Sequence, residues 1–214
     1  MGAAADAVRK MARPREFDEL EALEAAVDCF WHRGYKATSV RDLVACMGIS
    51  GPSLYNSFGN KRALFALALE HYLNDSTRAR IKRLEETASP KNAVRRFIEE
   101  IIERSLTDRE RRGCFLINSA LEVAPHDKVL GALIAARIRE IEAFFCRSIK
   151  AAQAEGTVPP DRAPRDLARM LLGVLLGIRV LARVRPERKL LEGLLRPAFA
   201  LLDNTPSAKR RKTA

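Results

Sequence analysis

Aromatic side chains are scarce, 6% of 214 residues, and no stretch sustains the apolar–polar alternation of a half-buried strand. Internal repeats are also absent, which excludes a sheet-based or repeat architecture. The four cysteines, Cys29, Cys46, Cys114 and Cys146, include no C-x-x-C pair. With no signal peptide in evidence, they point to reduced thiols in a cytoplasmic protein. The three histidines, His32, His71 and His126, are isolated, and no phosphate loop, G-x-S-x-G or H-E-x-x-H occurs. The sequence therefore gives no ground for an enzyme, a cofactor or a metal site. Arg169, Arg179 and Arg183 interrupt the most apolar run, Leu167 to Val184. It reads as a buried helix, with no membrane partner.

What is present is helical. An apolar share of 47% is ample for a core, and Leu, Ala and Arg abound. The stretch from Thr38 to Arg62 organises the rest. Val40, Leu43, Val44 and Met47 recur at i, i+3, i+4 and i+7, one face of a short helix. Ser39 and Asp42 have capping-box spacing, and Gly48 sits where the chain reverses. Ile49 plugs the angle, Ser50 caps a second helix over about 51–57, and Pro52 falls in its first turn. Leu54 and Phe58 face inward, leaving Ser53, Tyr55, Asn56 and Ser57 on the other faces. So short a helix cannot stand alone in water. Presentation to the DNA major groove, as the second helix of a helix-turn-helix, is the natural use.

The run GISGPSLYNSFGNKRALF and the upstream FDELEALEAAVDCFWHRGYKATSVRDLVACM closely resemble the DNA-binding domain of the TetR family of bacterial transcriptional regulators. The resemblance covers about residues 15–70 without a gap. Gly51 departs from it, since many relatives carry a longer polar side chain there; a backbone N–H at that position can still reach a phosphate. The resemblance implies a homodimeric repressor that binds double-stranded operator DNA and is released by a small-molecule inducer. The DNA-facing set is Thr38, Ser39, Arg41, Ser50, Gly51, Pro52, Ser53, Tyr55, Asn56, Ser57 and Lys61. Ser53, Tyr55 and Asn56 are expected near base edges. Thr38, Ser39, Ser50, Tyr55, Ser57 and Lys61 are expected at phosphates, and Arg41 at either. Lys61 lies in the first turn of a helix, against the dipole. In the family the matching lysine contacts the DNA backbone.

The net charge of +11 supports a polyanionic partner only loosely. Residues 1–62 carry nine Lys and Arg against eight Asp and Glu, so the excess lies elsewhere. The expected organisation is all-α, with about nine helices: a basic arm (1–15), a three-helix DNA-binding domain (16–62), a ligand-binding and dimerisation domain (63–204) and a basic tail (205–214). The first helix, about 17–33, is striped by Leu20, Leu23, Val27, Phe30 and Trp31, and Cys29 and Cys46 read as packed hydrophobes. Later helices are expected near 60–84, 90–106, 113–124, 127–155, 163–184 and 187–203. Ser89 and Asp127 are the expected caps of the second and fourth of these, and Gly156 with Pro159-Pro160 breaks the chain.

Gly173 and Gly177, four apart, permit close helix approach. Leu190, Leu191, Leu194, Leu195, Ala198 and Leu202 form a stripe wider than one neighbour needs, so these eight residues are the expected dimer interface. Phe97, Ile101, Phe115, Asn118, Phe144, Phe145 and Leu172 are candidate linings of a pocket for a hydrophobic inducer. Cys114 joins them as a candidate sensor thiol, beside Arg109, Arg111 and Arg112 at a helix start. Two alternatives are weighed: a thiol- or metal-responsive repressor using Cys114, and a non-specific architectural DNA protein. The latter would not need nearly 150 further residues of helical core.

Overall fold

The computed structural model describes residues 17–203; the expected arm (1–15) and tail (205–214) lie outside them. Among the described residues the chain is helical throughout, without strands. Asp18 starts α1 (Glu19–Arg33) by accepting from the N–H groups of Leu20 and Glu21. Ser39 and Asp42 close a reciprocal capping box on α2 (Val40–Met47). Gly48, at φ +65°, turns the chain into α3 (Gly51–Phe58), capped by Ser50 with Pro52 in the first turn. Asn60 caps α4 (Lys61–Leu73) through the N–H of Ala63.

The helix expected over 60–84 is longer and is interrupted. A π-helical segment, Asn74–Arg78, joins α4 to α5 (Ala79–Thr87) in one rod. Such wide turns fit an extra residue into a helix and occur at functional sites. This one is held on both sides. Arg78 bonds Glu70 on α4, and also Glu140 on α8 (Lys128–Ala154), which Asp127 caps as expected.

In between, α6 (Pro90–Thr107) begins at proline, although Ser89 makes no side-chain cap bond. α7 (Phe115–Glu122) is shorter than expected at both ends. Arg111 and Gly113 take positive φ before it, and the chain turns after it. Gly156 ends the path out of α8, and α9 (Pro164–Val184) and α10 (Arg188–Ala200) complete the rods.

Buried side chains from Ala22 to Leu202 form one connected cluster. α1 turns Ala22, Ala26, Val27, Cys29 and Phe30 inward. The expected stripe was rotated too far, for Leu20 is 55% exposed. An aromatic cluster joins the first helices to the rest. Phe65 of α4 stands edge-on to Phe30 (5.1 Å) and Phe115 (5.5 Å), and Trp31 stands edge-on to Tyr72 (4.9 Å). Such pairs add about 0.5–1.5 kcal/mol each beyond their burial. The sparse aromatics are thus spent at the junction of head and body. A second ring cluster, Phe97 with Phe144 and Phe145, fills the body.

The outer face of α9 and α10 departs from expectation. Leu191, Leu195, Ala198 and Leu202 are buried in the chain's own core, because α10 packs them against α6 and α9. They are unavailable to another molecule. Leu190 and Leu194 are half-exposed. Gly173 and Gly177 have nothing within 4 Å of where a Cβ would stand, so no helix of this chain uses their close-approach surface.

Candidate nucleic-acid interface

Leu54 and Phe58, one helical turn apart, are buried and fasten α3 to the core. Ile49 is buried in the angle between α2 and α3. That fixes which face of α3 looks outward: Pro52, Tyr55 and Asn56 are exposed, and Gly51, Ser53 and Ser57 are half-exposed. Open space surrounds the position of a Gly51 Cβ. A helix N-terminus with free N–H groups attracts an anion such as a phosphate.

Several hydroxyls expected to face DNA are already engaged. Thr38 is fully buried, and its hydroxyl donates to the Gly34 carbonyl at 2.6 Å. That bond closes the turn between α1 and α2, so the side chain reaches no phosphate. The Ser39 hydroxyl donates to Asp42 and accepts from its N–H. Ser50 accepts from the Ser53 N–H and shares a 2.8 Å hydroxyl contact with Ser53. Tyr55, Asn56 and Arg41 are exposed and make no side-chain bond among the described residues. They are the groups best placed for a partner.

Lys61 was expected to need a phosphate to offset its position at a helix N-terminus. The chain supplies another partner: its Nζ lies 4.5 Å from the centroid of the Tyr35 ring, a cation–π contact. Burial holds Lys61 below its ordinary 10.5, against the pull of Glu122 and Asp42. Asp42 is itself kept low by the Ser39 hydroxyl and N–H, with Arg33 helping at 2.7 Å.

The cysteine pair departs from simple packing. Cys46 is exposed, and its thiol donates to that of the buried Cys29 at 2.8 Å. Burial and Cys46 push Cys29 up to about 12, so it rests as an unreactive thiol. Cys114 is half-buried at the start of α7, where its sulfur accepts from the Tyr72 hydroxyl at 3.8 Å. Arg112, expected to act on it, lies instead over Trp31 and beside Asp108 and Glu110. Among the described residues one group has metal-ligand geometry, Glu24, His71 and Asp75, and it contains no cysteine.

The candidate pocket residues divide. Phe97, Ile101, Cys114 and Leu172 share the wall of an apolar cavity of about 20 Å3, together with Thr77 of the π-helical segment and Arg179. Phe115 and Asn118 face another cleft, beside Gly34 and Glu122. The Asn118 amide is bound to the Arg112 carbonyl and to Arg183. Phe144 and Phe145 are fully buried against Phe97 as core.

Residues 22–68 match the model for bacterial regulatory proteins of the tetR family. Residues 90–197 match that of the tetracyclin repressor-like C-terminal domain. An uncharacterized HTH-type transcriptional regulator, YezE of Bacillus subtilis, is 33% identical over 90% of this chain and 100% of its own. The HTH-type transcriptional repressor ComR of Escherichia coli is 31% identical over 80% of this chain and 82% of its own. Among solved structures, a cysteine mutant of the TetR family regulator CifR complexed with 26-bp operator DNA superposes with a TM-score of 0.79. It is 34% identical, covering 88% of this chain and 99% of that one.

Proposed function

This chain belongs to the TetR family of bacterial regulatory proteins, and from that premise we propose that it represses transcription as an inducible homodimer on a palindromic operator. It is a helix-turn-helix regulator, not an enzyme. Its work on DNA puts it in the bacterial cytoplasm, and no described helix is long and apolar enough to cross a membrane. The observation that carries the reading is the setting of α3: two buried anchors fix the helix while Tyr55 and Asn56 stand exposed. Tyr55, Asn56 and Ser53 read base edges. The Gly51 N–H, Ser57 and Lys61 hold phosphates, and Arg41 serves at either. The operator complex of CifR supports the same use of this fold.

One short helix reads few base pairs, so two are needed, with a separation matching about 34–36 Å of groove repeat. The second copy docks on α9 and α10. Gly173, Gly177, Val180 and Val184 form an open stripe at i, i+4, i+7 and i+11, with Val180 46% and Val184 68% exposed. Leu190, Leu194, Pro197 and Leu201 form a parallel stripe at the same spacing. Together they are the uncovered apolar surface that a second copy would bury.

The inducer enters the cavity at Thr77, Ile101, Leu116 and Leu172. At about 20 Å3 it holds no more than about one water, so an organic molecule must force the walls apart. Two of those walls lead to the DNA-binding head. Thr77 lies in the π-helical segment that continues α4. Leu116 lies on α7, whose Glu122 grips the turn after α1. A coupling of about 1–3 kcal/mol gives a 5–150-fold change in operator affinity, which is enough for a switch.

The test is selection of binding sites from a random duplex pool at near-physiological salt. Recovery of a palindrome with two fixed half-sites supports the proposal. Binding with no enriched sequence leaves only the phosphate attraction and returns the architectural reading.

A further inference from the structure

Arg179 is 7% exposed, the only buried charged side chain of the described residues. A guanidinium on so buried a residue normally has a carboxylate partner, and this one has none: among the described residues its one hydrogen bond is to the Ser105 hydroxyl, at 3.0 Å. Ser105 in turn donates to the Ile101 carbonyl. Four of the five N–H donors of an arginine are left without a described acceptor. Arg179 stands in the wall shared by the apolar cavity and an open cleft of about 610 Å3.

The cleft adds to the demand for an anion. The Trp31 Nε1–H is buried, lacks an acceptor among the described residues, and belongs to a residue lining the same cleft. Arg104, another lining residue, makes no ion pair among them. The acids there are engaged, Asp28, Asp108 and Glu110 with Arg112, and Glu110 also with His32. The neighbouring Arg80 already has Glu100. What is missing is a group that only accepts hydrogen bonds and carries negative charge.

We propose that the inducer is an amphipathic organic acid whose carboxylate is held by Arg179 and whose apolar tail expands the cavity behind it. This rests on the inducer reading above and names the chemistry of that ligand. A guanidinium takes a carboxylate through two parallel N–H bonds, and Phe97, Ile101 and Leu172 offer the tail an apolar wall. A neutral ligand of the same tail leaves the buried charge as it was, so the acid is selected over its alcohol.

Trp31 is the sole tryptophan, so its fluorescence reports on the cleft of the intact protein. Octanoate and phenylbutyrate are titrated, each against its matched alcohol, with thermal midpoints as a second readout. The expected result is affinity for at least one acid about tenfold or more above its alcohol. Arg179→Gln removes that preference and leaves alcohol binding in place. If Arg179→Gln fails to fold, Arg104→Gln, at an exposed position, is expected to narrow the ratio by a smaller factor. Equal affinity for acid and alcohol overturns the anion assignment and leaves an apolar inducer standing. No response to any of the four overturns the anion assignment and the ligand chamber together.

Discussion

The carboxylate of Glu122, at the end of α7, accepts a 2.7 Å hydrogen bond from the backbone N–H of Lys36, in the turn between α1 and α2. Its other oxygen accepts from the Tyr35 N–H at 3.1 Å. One side chain of the body thus satisfies two backbone donors of the head, beside the tyrosine that carries Lys61. Arg62 with Asp127 (2.6 Å) and His32 with Glu110 (2.9 Å) add further ties. The body therefore holds the DNA-binding helices by specific polar contacts as well as by packing. Movement of α7 has a direct handle on the turn that precedes α2.

Glu122→Ala leaves both N–H groups without their acceptor. Hydrogen bonds to a charged group contribute about 1.5–3 kcal/mol, so amide exchange at Tyr35 and Lys36 should quicken about tenfold or more. Operator affinity should fall modestly, and the inducer's effect on it should shrink. Unchanged exchange at both amides would show that the contact holds nothing.

Gly34→Ala strikes the same contact from the other side. Gly34 has φ +84° and ψ 164°, a region essentially reserved for glycine, costing other residues about 1–3 kcal/mol. A Cβ there would also lie 2.8 Å from the Glu122 carboxylate. Denaturant unfolding should show a loss in that range. Glu122→Ala in the same chain should recover the part due to the clash and none of the part due to the backbone, so the two effects should be non-additive.

Much of this was legible in sequence because the local signals were strong. Capping residues Ser39, Ser50 and Asp127 and the turn at Gly48 marked where helices begin. Leu54 and Phe58, four apart, marked the buried face of α3. What was missed depends on partners distant in the chain. Periodicity could not say that Leu191 and Leu195 face this chain's own α6 and α9 rather than a second copy. Nothing local marks Glu122 as the acceptor for residues 35 and 36, or Tyr35 as the support for Lys61. The π-helical segment was invisible because NDSTR differs little from an ordinary polar helical turn. Arg179 did leave a signal, a charge inside an apolar helix, and was read only as evidence against a membrane span.

Lys61→Ala removes a cation from the proposed DNA-facing set, at the start of α4, while leaving the α3 side chains untouched. Binding should weaken about equally for all duplex sequences, and the slope of log affinity against log salt should flatten by about 1 for each protomer. Weakening confined to the preferred operator would instead make Lys61 a base reader.

His32 gives the head–body junction a pH dependence. Its Nδ1 faces the Asp28 carbonyl at 2.8 Å and its Nε2 faces Glu110 at 2.9 Å. Two acceptors demand two ring protons, so the pKa is raised above 6.5, by the Asp28 carbonyl first and Glu110 next, against partial burial. A raised folded value means that the stabilisation is complete below the unfolded value and is lost as pH rises through the folded one. The difference in thermal midpoint between the wild type and His32→Ala should therefore be largest near about pH 5.5–6 and shrink on the alkaline side. A gap that grew with pH would contradict this assignment.

Gly177→Arg separates the demands of folding from those of assembly. Nothing lies within 4 Å of a Cβ at this position, and the glycine is interior to α9. A helix interior favours almost any other residue over glycine, by up to about 1 kcal/mol. If only the monomer mattered, the substitution should leave stability unchanged or improve it. If a second α9 packs across Gly173 and Gly177, the arginine blocks that approach and strands Val180 and Val184 in water. Sedimentation should then show monomers with native helix content, and affinity for a two-half-site operator should collapse toward that of a single half-site. A Gly177→Arg protein that remains dimeric would remove α9 from the interface.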